Sequence, residues 1–289
     1  MTSNDDNNGT VGNPRVGLTG YVTASAWARY GFAESGRFDS RRGRLLFGLL
    51  RFGCRAIAPI SPPAGAFARS LYWRHRWFSD WVMKYRPHLA IEIGAGLSGR
   101  GLAHARTHPT CRWVDYDLPH MTDARRTRLH GLSLPANYDL RSADLLGPAI
   151  GAELSPPDPL GATCVLLEGV IDYLDPSEKQ RALSRIATLL GRLGGGRLLM
   201  DIHPAARLAA FGTGAQLMLA GLRGISGRDL AGQLFVDVPE ALSILGDCGF
   251  EHATQVDDVR LDGADRAPPA AHRAFCLVEA TVAARTDAR

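Results

Sequence analysis

The amino-acid sequence predicts an α/β fold in which helices precede a seven-stranded, mostly parallel sheet. From residue 89 onwards, short apolar runs alternate with segments of helical periodicity, which is the pattern of parallel strands connected by helices. Before residue 86, the apolar side chains recur only at helical spacing. At 289 residues, 45% of them hydrophobic, the chain can bury one large core and carry a small helical cap.

Three helices are predicted before the sheet, at residues 15–34, 40–58 and 66–85. The proline-containing segment 61–65 separates the second helix from the third. The second helix has one strongly apolar face, so we expect that face to pack on a core or on a substrate.

The strands are predicted near residues 89–94, 111–116, 137–142, 162–168, 195–202, 249–257 and 272–282. The helices between them are predicted near residues 98–107, 120–131, 144–153, 176–192, 205–223 and 238–248. Asp175 and Pro176 give the fourth of these helices a capping side chain and a proline at the first helical position. The connection at about residues 204–237 is unusually long for this kind of fold, so we expect an insertion above the carboxyl ends of the strands.

A glycine-rich turn follows the first predicted strand, in residues 90–100 (AIEIGAGLSGR). Gly94 and Gly96 allow a tight turn and let the backbone approach a ligand closely. Asp115 and Asp117 end the next strand, where an acid can accept hydrogen bonds from a ribose diol. This combination predicts a nucleotide site.

The same turn has the spacing of a dinucleotide-binding fingerprint, through Gly94, Gly96 and Gly99 and an acid about 20 residues later. An NAD(P)-dependent oxidoreductase is therefore one interpretation. Two features favour another nucleotide. Glu92 stands two residues before the first glycine, where NAD-binding folds usually have an apolar residue, and the unit begins far from the start of the chain.

Five segments stand in order along the chain, at residues 23–28 (TASAWA), 74–80 (RHRWFSD), 92–100 (EIGAGLSGR), 115–119 (DYDLP) and 168–174 (EGVIDYL). Together they resemble motifs of the leucine carboxyl methyltransferase superfamily, which includes polyketide carboxyl methyltransferases of the tetracenomycin type. The chain departs from the pattern at Ser98 and Gly99, where the family has Asp and Thr, and at Asp115, where it has Glu.

The resemblance implies a class I methyltransferase fold, which is Rossmann-like, and the cofactor S-adenosyl-L-methionine. It implies a helical lid at residues 15–86 and a methyltransferase domain at 87–289 with a lid insertion at about 204–237. Residues 1–14 are polar and are expected to form a disordered tail. The implied activity is methylation of a carboxylate or hydroxyl of a small molecule in secondary metabolism. A protein of this fold that binds the cofactor without transferring methyl remains a third interpretation.

The resemblance also implies a cofactor site. It consists of Arg74, Glu92, Gly94, Gly96, Asp115, Asp117, Asp144, Leu145 and Glu168. Asp117 matches the acid that binds the ribose, and Asp115 is its rival two residues earlier on the same strand face. Glu168 and Arg74 are expected at the methionine end. Asp144 is expected either at the adenine or as a helix cap.

The acceptor site is predicted to include His203 and Tyr173 as tentative catalytic residues, with Arg76 and Arg207 binding the substrate. If the acceptor is a phenol, His203 is the candidate base, although a histidine at this position can also be a pocket wall. A carboxylate acceptor needs no base, since it is ionised at neutral pH. The resemblance favours the carboxylate.

Composition narrows the function classes further. A net charge of +4 from 33 basic and 29 acidic residues gives no reason to expect nucleic acid as a partner. The five cysteines lack the spacing of a metal site, so we expect no metal and a reducing, cytoplasmic environment. No apolar run reaches the length of a membrane span, so no membrane partner is expected. The expected partner is the small-molecule acceptor, and a homodimer remains open.

Overall fold

The computed structural model describes residues 16–147, 150–209, 231–256 and 273–284. Its strands are β1 (Leu89–Ile93), β2 (Arg112–Asp117), β3 (Tyr138–Ser142), β4 (Thr163–Leu167), β5 (Gly196–Ile202), β6 (His252–Val256) and β7 (Cys276–Val282). They form one sheet in the order β3-β2-β1-β4-β5-β7-β6. Among these strands, β7 alone runs in the direction opposite to the other six, so its pairings with β5 and β6 are antiparallel. This topology confirms the predicted Rossmann-like class I methyltransferase fold.

The α-helices of the described residues are α1 (Val16–Arg29), α2 (Arg41–Ile57), α3 (Pro62–Gly65), α4 (Phe67–Tyr85), α5 (Arg100–Thr107), α6 (Pro119–Leu129), α7 (Pro176–Arg192), α8 (Ala205–Ala209) and α9 (Val238–Asp247). Short 3-10 helices lie at Ser35–Arg37, Ile171–Tyr173 and Ala231–Gln233. Capping side chains explain where several of these helices begin. Asp175 and Glu178 form a reciprocal capping box on α7, and Ser40 accepts the Gly43 amide at α2.

The seven predicted strands are confirmed, with the last two shorter than expected. The helix predicted at 144–153 is wrong, because residues 144–147 and 150–153 form turns. Asp144 accepts the Leu146 amide through its side chain at 2.9 Å, and Gly151 has a φ of 67°, which a helix does not use. Of the helix predicted at 205–223, residues 205–209 are helical. Its remainder, most of the 204–237 insertion and the 1–14 tail lie outside the described residues.

Helices pack on both faces of the sheet. Alternate side chains of β1 point to opposite faces, so Leu89, Ile91 and Ile93 join the core under α7, while Ala90 joins the core under α4. Glu92 follows Ala90 on the α4 face. A charged group in β1 is therefore buried beside the N-terminal helices.

A buried carboxylate ties α4 to the sheet. Glu279 of β7 accepts hydrogen bonds from Trp81 Nε1 at 2.8 Å and Tyr85 Oη at 2.9 Å, and it forms an ion pair with Arg197 at 2.8 Å. Burial, together with the bond to Glu279, raises the pKa of Tyr85 to about 12. The end of α4 is thus held by directional bonds as well as by packing.

We expect Glu279→Ala to lower the free energy of unfolding by about 1–3 kcal/mol, since the buried Trp81 indole would lose its acceptor. Urea unfolding followed by circular dichroism measures this loss. Arg112→Gln is the matched control, because it removes an exposed ion pair with Asp139, and it should change stability by less than about 1 kcal/mol. Equal losses in the two variants would contradict the role given to Glu279.

Candidate active site

The candidate site lies at the carboxyl ends of the parallel strands, where open α/β sheets bind their ligands. The glycine turn follows β1, Asp117 ends β2, Glu168 follows β4 and His203 follows β5. Because β1, β2, β4 and β5 are parallel neighbours, these four segments meet at one edge of the sheet. The sequence therefore brings its predicted cofactor and acceptor residues to the same edge.

The glycine turn depends on two glycines in the left-handed region, Gly94 with a φ of 69° and Gly96 with a φ of 55°. A Cβ at Gly94 would lie 2.4 Å from the Cγ2 atom of Val170, so the turn also packs against the segment after β4. A Cβ at Gly96 would meet nothing closer than 4.0 Å, so only the backbone conformation requires that glycine.

Asp117 contacts the glycine turn directly. Its Oδ2 accepts the Gly96 amide at 2.5 Å, and its Oδ1 accepts the Leu118 amide at 2.7 Å. Burial raises the pKa of Asp117, and these amides oppose the shift. The side chain is half-buried, and a carboxylate can accept about four hydrogen bonds, so Asp117 retains capacity for a ligand.

Asp115 has a different environment, since its side chain is fully buried. It accepts hydrogen bonds from Trp113 Nε1 and from the Tyr138 hydroxyl, each at 2.7 Å, and it forms an ion pair with Arg125. Arg125 also donates to the Gly96 and Ser98 carbonyl oxygens, each at 2.9 Å. Asp115 therefore supports the glycine turn indirectly, because it holds the Arg125 side chain that bonds the turn's carbonyl oxygens.

A buried charge cluster occupies the neighbouring part of the edge. It consists of Arg74, His75, Glu92, Arg100, Glu168 and Asp201. Arg74 bonds Glu168 Oε1 and Asp201 Oδ2, each at 3.1 Å. His75 Nδ1 lies 3.0 Å from Glu168 Oε2. Arg100 bonds Glu92 at 2.8 Å and also forms an ion pair with Glu168. The cluster joins α4, the start of α5 and three strands.

The charges in this cluster are strongly shifted. Burial alone would raise the pKa of Glu168, but Arg100, His75 and Arg74 hold it well below its usual range. Burial raises the pKa of Glu92 to about 8, against the attraction of Arg100. Burial also lowers the pKa of His75 to about 4, and Arg100 adds to that shift. Glu168 is thus held as the ionised carboxylate, whereas burial favours the protonated form of Glu92.

On the acceptor side of the edge, His203 and Asp172 form a close pair. His203 Nδ1 lies 2.7 Å from Asp172 Oδ2. Tyr173 follows Asp172 in the 3-10 helix, and its hydroxyl hydrogen bonds with Thr19 of α1. Burial raises the pKa of Tyr173. The N-terminal helices therefore contact this side of the site as well.

Three further residues are predicted for the site, Arg76, Arg207 and Leu145. Arg76 bonds both oxygens of Asp80 at 2.9 Å, and its side chain is 44% exposed, unlike the buried arginines of the charge cluster. Arg207 is half-buried in α8, after His203. Leu145 is buried in the main core.

Sequence reasoning missed several functional candidates, namely His75, Arg100, Arg125, Asp172 and Asp201. Arg100 could have been identified, because it closes the same motif that begins with Glu92 and begins α5. His75 and Asp172 lie within the quoted segments 74–80 and 168–174, but their partners are far away in the sequence. Arg125 and Asp201 lie outside every quoted motif, and only the fold brings them to the site.

Comparison with protein-family models and with curated proteins finds no match to this chain. Solved structures are similar. A provisionally assigned methyltransferase from Thermobifida fusca YX has a TM-score of 0.58 at 15% identity, with 92% of this chain and 94% of that chain covered. An O-methyltransferase family protein from Burkholderia thailandensis has a TM-score of 0.51 at 18% identity, with coverages of 94% and 72%.

A provisionally assigned O-methyltransferase from Nostoc punctiforme PCC 73102 has a TM-score of 0.50 at 16% identity. The match covers 75% of this chain and 58% of that one, less than two thirds of its length. At these identities the likeness concerns the fold. The chain has a methyltransferase fold. None of the helices in the described ranges combines the length and apolar character of a membrane span.

We expect Asp115→Ala to lower the free energy of unfolding by about 3–5 kcal/mol, because it leaves the Arg125 guanidinium buried without its carboxylate. Asp117→Ala is the matched variant on the same strand. It removes two bonds from backbone amides at a half-buried position and should cost at most about 2 kcal/mol. Guanidinium unfolding of the two variants measures the difference, and the reverse order would contradict these assignments.

We also expect a pH dependence of stability from Glu92. Its folded pKa of about 8 lies above the usual 4.5, so the folded state binds more protons between these values and stability falls as pH rises. The lowered pKa of His75 acts oppositely, but only below about pH 6.5. Between pH 6.5 and 8 the wild type should therefore lose about 1–2 kcal/mol.

Glu92→Gln should abolish this loss, since the amide cannot ionise. Urea unfolding at pH 6.5 and at pH 8 measures it in both proteins. If the variant shows the same fall as the wild type, another group is responsible.

Proposed function

We propose that the chain is an S-adenosylmethionine-dependent O-methyltransferase that methylates a small molecule of secondary metabolism. One observation carries the proposal. At one edge of a methyltransferase-type sheet, an acid suited to bind a ribose contacts a glycine turn, and a buried cluster of opposite charges lies beside it. A nucleoside linked to an amino acid has complementary chemistry at both ends.

The nucleoside half of the site is assigned to the glycine turn and Asp117. Two hydroxyl donors of a ribose diol and one ionised acceptor form charge-assisted bonds. Asp117 already orients toward the turn through the Gly96 amide. The segment after β3, with Asp144, lies at the same edge and is the candidate for adenine contacts.

The amino-acid half is assigned to Glu168 and Arg74. An α-ammonium requires an anionic acceptor, and Glu168 remains ionised in its buried position. An α-carboxylate requires a cation, and an arginine suits it because the guanidinium can bond both oxygens. Arg74, which is on α4, lies beside Glu168. The ammonium and the carboxylate of an amino acid therefore have neighbouring partners of opposite charge.

For the methyl transfer itself, the protein must mainly align the reacting atoms, since the cofactor supplies the reactive methyl group. The acceptor oxygen, the methyl carbon and the sulfonium sulfur must lie in line, with water excluded. We propose that α1–α4 act as the lid that achieves this exclusion, since α4 supplies Arg74 and His75 and α1 contacts Tyr173. The motif resemblance supports placement in the leucine carboxyl methyltransferase superfamily, with Arg207 as a candidate acceptor contact.

The cofactor is tested by isothermal titration calorimetry with S-adenosylhomocysteine and, separately, with NADH. We expect S-adenosylhomocysteine to bind and NADH to give no signal. Asp117→Ala should weaken binding by about 1.5–3 kcal/mol, the usual worth of a hydrogen bond to a charged group. Asp123→Ala, which changes an exposed acid on α6, should leave the affinity unchanged. Binding of NADH without any response to S-adenosylhomocysteine would overturn the proposal in favour of an oxidoreductase.

A further inference from the structure

The pair formed by Asp172 and His203 has a geometry that fixes the state of the imidazole ring. An ionised carboxylate only accepts hydrogen bonds, so the 2.7 Å contact between Asp172 Oδ2 and His203 Nδ1 places a proton on Nδ1. In the neutral ring the lone pair is then on Nε2. The ring is held with its basic nitrogen directed away from Asp172.

We propose that His203 is the general base of this enzyme, that Asp172 is the residue that positions it, and that the acceptor is therefore a hydroxyl compound, with a phenol as the best candidate. This inference rests on the proposed function. It selects one of the two acceptor classes that the sequence leaves open, and it differs from the carboxylate that the motif resemblance favours.

Two elements converge to build the pair. His203 follows the end of β5, and Asp172 belongs to the 3-10 helix after β4. Both therefore lie on the side of the edge where Glu168 and Asp201 mark the amino-acid half of the cofactor site. A base at this position is next to the place where the transferred methyl group must be.

The charges facing His203 favour a neutral acceptor. Asp201 Oδ2 lies 4.0 Å from His203 Nδ1, but Asp201 already bonds Arg74 and the Gly169 amide. Lys179 of α7 interacts electrostatically with Asp172. Two carboxylates thus border the ring, each with a cation beside it, and a neutral hydroxyl acceptor requires no further positive charge there.

A second observation supports a ligand here. Asp172 Oδ1 is buried and has no hydrogen-bond partner among the described residues. A buried acceptor without a donor is costly, so a site that leaves one is suited to a hydroxyl ligand. The ring centroid of Phe275 lies 6.4 Å from that of the imidazole, so an aromatic side chain is already close to the place where an aromatic acceptor would bind.

The step balances without any further reactant. The acceptor O–H proton moves to His203 Nε2 while an oxygen lone pair attacks the methyl carbon. The bond between carbon and sulfur breaks, and its electron pair stays on sulfur, which converts the sulfonium to a neutral thioether. The imidazolium formed on His203 is stabilised by Asp172, and its proton later passes to water.

The ring state is tested first, because it needs no acceptor. Nitrogen-15 NMR of the protein with S-adenosylhomocysteine bound reports which ring nitrogen carries the proton, and His203→Gln assigns the signal. We expect the Nδ1–H form of His203 to predominate in the wild type. In Asp172→Asn we expect the Nδ1–H form no longer to predominate over the Nε2–H form. An Nε2–H form in the wild type would overturn the proposal whatever the acceptor is.

The acceptor class is tested with matched probes, 2-naphthol against 2-naphthoic acid and catechol against benzoic acid, using S-adenosylmethionine with a radiolabelled methyl group. We expect label only in the hydroxyl compounds, and His203→Ala should lower kcat by about 10²–10⁴-fold. His252→Ala, on the exposed strand β6, is the control and should keep full activity. Label in the acids would overturn the proposal, and so would a fall in kcat of only a few-fold in His203→Ala. If no probe is labelled, the NMR measurement of the His203 ring decides between the two outcomes.

Asp172 is distinguished from a structural residue by the shape of the pH–rate profile. Asp172→Asn should lower kcat, leave KM for the cofactor unchanged and shift the acidic limb of the profile, while Asp172→Glu should restore part of the rate. An unshifted limb would overturn the positioning role. If the wild type did not bind S-adenosylhomocysteine at all, the proposed function itself would be refuted. That result differs from an unshifted limb, which refutes only the role of Asp172.

Discussion

The buried ion pairs of Arg74 are the constraint on which the rest of the site depends. A guanidinium out of water is tolerated only if carboxylates surround it, and Arg74 meets Glu168 after β4 and Asp201 in β5. These bonds fix α4, and with it the N-terminal helices, at one position above the sheet. They also hold the two segments that carry the candidate chemistry. Replacing one partner would leave an uncompensated charge, so this network specifies the arrangement of helices and sheet together.

The consequences extend from the charge cluster to both halves of the site. Asp201 accepts the Gly169 amide at 2.6 Å, which fixes the turn after Glu168. The same strand ends at Ile202, directly before His203, so the position of the imidazole follows from the strand that Arg74 anchors. On the other side, Arg125 links Asp115 to the carbonyl groups of the glycine turn. The glycine turn is thus supported by Arg125 directly and by Asp115 through Arg125.

The sequence predicts the fold well because the sheet is encoded locally, through apolar runs bounded by glycines, and the cap at Asp175 marks a helix that the structure contains. It fails at 144–153, where the Asp144 side chain forms a turn and Gly151 takes a positive φ. The motif resemblance favours Asp117 over Asp115 for the ribose, but the sequence does not show why Asp115 is buried, because its partner Arg125 lies ten residues further along on another element. Asp172 lies within the segment 168–174, but only the tertiary fold pairs it with His203.

The charge balance of the cluster bears on which nucleotide suits the edge. Arg74 and Arg100 are offset by Glu168 and Asp201, and burial raises the pKa of Glu92. A zwitterionic amino-acid group adds no net charge and can exchange partners within this balance. The pyrophosphate of a dinucleotide would add two negative charges to this balance. The glycine spacing alone permits either ligand, and the balanced charges of the cluster support the proposed S-adenosylmethionine over a dinucleotide.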